Sequence, residues 1–87
     1  MIELGPDEVR SIGIALNGGN SRGWRDSLAE ITGASPYTIR SWCDGTDSAS
    51  YRPCTGPSAR LLLVLHNLHN KGISVADYIL ELDGEER

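Results

Sequence analysis

The chain has 87 residues, with eight Lys and Arg against twelve Asp and Glu, for a net charge of −4. That length predicts one small domain spanning 1–87, and a chain this short buries little surface, so oligomerisation is a reasonable source of stability. No apolar run reaches membrane-spanning length and no basic-plus-apolar leader opens the chain, so a cytoplasmic protein with no membrane association is expected.

Taken in order, Met1 to Gly5 reads as a frayed end or a segment lying across a neighbour. Gly5-Pro6-Asp7-Glu8 is a helix start, because Pro is tolerated in the first turn and early acids suit the helix dipole. Val9, Ile12 and Leu16 follow at helical spacing, predicting a first helix near 6–17. Gly13 inside it costs about 1 kcal/mol relative to Ala. Asn17-Gly18-Gly19-Asn20 breaks the helix.

A second helix is expected from about Trp24 to Thr32, capped by Ser21 or by Gly23. Leu28 and Ile31 are its apolar contacts, and Trp24 reads as packing at its start. Gly33 ends it, since a sharp left-handed turn favours a residue without Cβ. Ser35 is a good cap and Pro36 a good first residue for a third helix over 36–43. Ala29 is small where a bulky side chain would separate the two helices. Ile39 and Trp42 stand i and i+3 on one face of the third helix and point back onto the second. Residues 24–45 thus carry the spacing of a helix-turn-helix, the unit that puts its second helix into a DNA groove.

Residues 44–56 read as a loop, long for a small domain, with Tyr51-Arg52-Pro53 as a candidate contacting element. A fourth helix starts at Gly56-Pro57-Ser58 and runs to about Asn70. Its run of leucines covers more than one face and so needs cover on two sides. After Gly72, Ser74-Val75-Ala76-Asp77 resembles a capping box. It opens a fifth helix near 75–82, and Gly84 to Arg87 reads as a solvated tail. The expected fold is all-α: a five-helix bundle with a helix-turn-helix core at about 24–45 and dimerisation helices at about 57–82. The dimer face is predicted to use Leu61, Val64, Leu65, Leu68, Val75, Tyr78, Ile79 and Leu82.

Charge is distributed unevenly. Residues 22–60 hold five arginines (22, 25, 40, 52 and 60) against four acids, net +1, whereas 1–21 is −2 and 61–87 is −3. One cationic face on an acidic chain fits a small nucleic-acid binder. With Ile39 and Trp42 buried, the opposite face of the third helix offers Ser35, Pro36, Tyr37, Thr38, Arg40, Ser41 and Asp44 to base edges. Arg40 suits the O6/N7 edge of guanine, and Thr38 offers a methyl to thymine. Ser21, Arg22, Arg25, Tyr51 and Arg52 are the candidates for phosphates, which supply affinity and register rather than sequence preference.

Other chemistry finds little support. Cys43, Cys54, His66 and His69 fall in zinc-finger order, but ten residues separate the cysteines and two separate the histidines, so no metal is expected. A Cys43–Cys54 disulfide is possible by separation and disfavoured in a reducing cytosol. There is no phosphate loop and no nucleophile–base set, so neither catalysis nor a cofactor is expected. A protein-interaction module, such as an antitoxin or adaptor, is the alternative that the acidic balance and the leucine-rich fourth helix favour.

The stretch LAEITGASPYTIRSW, followed by YRP and a leucine-rich helix, resembles small Cro-type helix-turn-helix regulators of phages and bacteria. Among these it is similar to anti-CRISPR-associated repressors. The resemblance covers 24–65, roughly half of the chain. It implies a lambda repressor-like DNA-binding domain and a homodimer that binds an inverted repeat in double-stranded DNA and represses its own operon. By position it implies base contacts from Arg40, Tyr37, Thr38 and Ser41 and a phosphate contact from Arg25. Thr32 and Ala34 depart from it, standing where large aliphatics are usual, which implies a turn less filled by apolar side chains.

Overall fold

The structure, a computed structural model, describes residues 2–85 except 46, 48 and 50. The loop reading at those three positions and the tail reading at 86–87 lie outside the described residues. Among the described residues the fold is mostly helical: β1 (Glu3–Leu4), α1 (Pro6–Leu16), α2 (Trp24–Thr32), α3 (Pro36–Cys43), β2 (Cys54–Thr55), α4 (Gly56–Asn70) and α5 (Val75–Glu85). Helices α2 and α3 fall where the sequence puts them. The fifth helix runs three residues beyond its expected end, and the first stops one residue short.

Local chemistry explains most boundaries. Glu8 Oε1 accepts from the Gly5 amide at 3.3 Å, closing the first turn of α1. Gly33 ends α2 at φ 77°, a conformation that disfavours any Cβ, and its amide donates to the Ala29 carbonyl at 2.9 Å. Thr32 then does by hydrogen bonding what an aliphatic residue would do by volume. Its hydroxyl donates to the Leu28 carbonyl at 2.8 Å and accepts from the Ala34 amide at 3.2 Å, so one side chain clips the end of α2 to the turn. Ser35 Oγ accepts from the Thr38 amide at 3.1 Å and caps α3.

The strand pair decides the choice left open for the segment before α1, which lies across a neighbour: Glu3 pairs with Thr55 and Leu4 with Cys54 in an antiparallel ladder, and the Gly56 amide donates to the Ile2 carbonyl at 3.3 Å. The stretch 44–56 is accordingly not loop throughout. Its last residues form β2 and the start of α4, and they put Cys54 fully inside, with Leu4 3% exposed beside it in the core. The pairing ties the ends of a fifty-residue excursion, which a reading by local periodicity does not detect.

The core is one cluster drawn from every helix: Val9, Ile12 and Leu16 of α1, Trp24, Leu28 and Ile31 of α2, Ile39 and Trp42 of α3, Ala59, Leu62 and Leu65 of α4, and Val75 of α5. Helix α1 packs against α2, α3 and α4 and so sits at the centre. Gly13 lets it come close to α2. A methyl group there would lie 2.7 Å from Cζ3 of Trp24 and nearer still to Cε3. The glycine that weakens the helical pattern in the sequence is the seat of an indole ring.

This packing also corrects the predicted dimer face. Leu65 (5% exposed) and Val75 (3%) belong to the core and are not available to a partner. Leu68 and Ile79 are half-buried against that core. Leu61, Val64, Tyr78 and Leu82 remain exposed.

Candidate functional site

Helices α2 and α3, joined by the Gly33 turn, pack together, with Ile39 wholly buried and Trp42 nearly so. Burying that face turns Tyr37 and Arg40 outward, Tyr37 being 71% exposed. Pro36 and Ser35 are exposed at the start of α3, and Thr38 and Asp44 are half-buried. The Ser35 and Thr38 hydroxyls lie 3.0 Å apart in a mutual hydrogen bond, so each already has a partner.

Ser41 is a correction. Helical phase puts it on the outer face, yet it is 4% exposed. The segment after α3 folds back along that edge, and the Arg52 amide donates to the Ser41 carbonyl at 3.1 Å. Ser41 is thereby withdrawn from the outer surface, whose exposed part narrows to Ser35, Pro36, Tyr37 and Arg40. The same segment brings half-buried Tyr51 and exposed Arg52 alongside α3. The Arg52 guanidinium is turned onto its own loop, with Nη1 donating to the Ala49 and Tyr51 carbonyls at 3.2 and 2.9 Å. Tyr51 and Arg52 thus form a braced edge to the surface.

At the other end of the surface, α2 begins at Trp24 with Gly23 as its cap, which settles the choice between Ser21 and Gly23. No side chain caps this terminus, so its first amides are free to meet an anion. Hydrogen bonds brace the approach. Asn17 Nδ2 donates to the carbonyls of Asn20 and Arg22 at 2.8 and 3.0 Å, and Asn20 Oδ1 accepts from the Arg22 amide at 2.9 Å. Ser21, Arg22 and Arg25 are exposed around it. Arg25 stacks on the Trp24 ring, its Cζ 5.0 Å from the ring centroid, so its guanidinium is oriented before any ligand arrives.

Arg25 and Arg40, fifteen residues apart, line one open depression of about 430 Å³ together with Cys43 and Asp44. Burial pushes the Cys43 thiol up from its ordinary value, while the positive charges of Arg25 and Arg10 pull it back and Asp44 adds to the rise. Arg10 thus belongs to the same electrostatic neighbourhood. Counting charge by segment misses it, because it lies among the acids of 1–21. The signal that finds it is helical phase: Arg10 is one turn before Gly13, on the face that meets Trp24.

The cysteines are both free. Burial, with a smaller push from Cys43, raises Cys54 to about 11, which makes it a poor nucleophile and metal ligand at neutral pH. Among the described residues no group of three or more His, Cys, Asp or Glu gathers to hold a metal, and no helix is long and apolar enough to cross a membrane. Comparison of the chain with protein-family models, with curated proteins and with solved structures returned no match.

Proposed function

We propose that this chain is a sequence-specific double-stranded DNA-binding regulator, with α2 and α3 acting as a helix-turn-helix and α3 as the reading helix. The observation that carries the reading is the convergence of Arg25 and Arg40, from two helices, on one open depression beside the outward face of α3. Arg40 and Tyr37 lie on the face that would enter a major groove. Arg25, pre-oriented on Trp24, and the uncapped start of α2 suit the flanking phosphates. Arg22, Ser21, Tyr51 and Arg52 border the surface and add to its backbone contacts.

The regulator is a homodimer through the exposed parts of α4 and α5 and represses by occupying an inverted repeat in a promoter, the mode that the resemblance to anti-CRISPR-associated repressors implies. A two-fold dimer presents its reading helices to half-sites about one helical turn, roughly 34 Å, apart.

Selection of bound sequences from random duplex DNA, followed by titration of the winner and of a scrambled duplex, tests this. The winner is expected to be an inverted repeat. Arg40→Ala should remove the preference for it, while Arg25→Ala should weaken both duplexes equally and flatten the salt dependence. Equal effects of the two variants on both duplexes would overturn the roles. No binding to any duplex at low salt would overturn the reading in favour of a protein-interaction module.

A further inference from the structure

We infer that the second copy docks crosswise, α4 of one protomer lying against α5 of its partner and the reverse by symmetry, with the opposite charges of the two helices at the rim. The inference rests on the dimer proposed above and specifies how its faces meet. On α4, Pro57, Leu61, Val64 and Leu68 recur at steps of four, three and four, the spacing of a seam that packs along another helix. Leu61 and Val64 are 40% and 49% exposed, so the middle of this seam is separate from the stripe of Ala59, Leu62 and Leu65 that α4 spends on its own core, while Leu68 at its end also packs on that core. On α5, Tyr78 and Leu82 lie four residues apart and are 47% and 39% exposed.

Charge selects between the ways of pairing these faces. Arg60 is the one formally charged residue of α4, and α5 carries four acids and no base. Among the described residues, Arg60, Asp77 and Glu81 take part in no ion pair within the chain. Packing α5 on its own copy would set acids against acids, whereas α4 on α5 sets Arg60 near Asp77 and Glu81. Like charges facing each other are penalised, and opposite charges fix register.

Sedimentation equilibrium on the full chain at low and high salt tests the arrangement, with circular dichroism confirming that each variant keeps its helices. Asp77→Asn with Glu81→Gln is expected to weaken the dimer about two- to tenfold, as exposed ion pairs do. Arg60→Glu should weaken it as well, and combining it with Asp77→Lys and Glu81→Lys should restore the dimer. Raising salt should act in the same direction as the neutral variants. A tighter dimer on neutralising the acids would point to α5 on α5, and no change to α4 on α4. Either result overturns the crosswise arrangement while leaving the dimer in place. A wild-type chain that stays monomeric throughout would overturn the dimer itself.

Discussion

Gly13 shows how a single missing methyl positions the candidate surface. Its lack of a side chain admits the Trp24 ring, and that ring in turn carries Arg25. Gly13→Ala should gain about 1 kcal/mol of helix propensity and lose about 1–3 kcal/mol to overpacking. A net loss of stability is expected in urea denaturation, together with weaker binding to every duplex as Arg25 shifts with the ring. Stabilisation would show that the indole moves aside freely. Cys54 gives a second residue-scale test. Its thiol is held protonated up to about 11 against an ordinary value of 9.0. The folded state therefore keeps a proton that the unfolded chain releases, so stability is full below about 9 and falls as pH rises toward 11. The urea midpoint should drop over that window in the wild type and drop less in Cys54→Ala. Equal slopes would remove Cys54 as the cause.

At the scale of elements, the turn between α2 and α3 depends on polar clips rather than apolar filling. Thr32→Val preserves shape but removes the hydroxyl that bridges the Leu28 carbonyl and the Ala34 amide. It should cost about 1 kcal/mol, the usual net worth of a hydrogen bond, and Thr32→Ser should cost less. A stabilised Thr32→Val chain would mean that the site prefers the aliphatic residue common at this position in the resembling regulators. The elements legible in the sequence are those bounded by residues with one strong conformational meaning. Gly33, Ser35 and Pro36 delimit α2 and α3 because a left-handed turn, a cap and a fixed φ are local properties. The strand pair was not legible, since two-residue strands gain their order from partners some fifty residues away. Ser41 was misplaced for the same reason: helical phase turns it outward, and a later segment covers it. Leu65 and Val75 read as surplus apolar residues until α1 and α2 are seen to need them.

At the scale of the whole molecule, the question is how a chain of net charge −4 would hold a polyanion. On the DNA-binding reading the fold sorts charge: α5 collects acids, Arg25 and Arg40 come from two helices to one depression at the end of α3, and Arg10 of α1 is near enough for its charge to act on Cys43 there. Arg10 is the informative member, because no motif includes it and only the packing of α1 brings it there. On the DNA-binding reading it acts as a phosphate contact. Each such contact contributes about 0.9 to the slope of log K against log salt concentration. Arg10→Ala should lower that slope by about 0.9 per protomer while the ratio of affinities for the selected and scrambled duplexes stays unchanged. Lys71→Ala, just past the end of α4 and outside both the cationic surface and the proposed dimer seam, should leave the slope as it was. A changed affinity ratio for Arg10→Ala would make Arg10 a reader of sequence. An unchanged slope would make it a structural neighbour of Cys43 and Asp44, and would confine the cationic surface to α2 and α3.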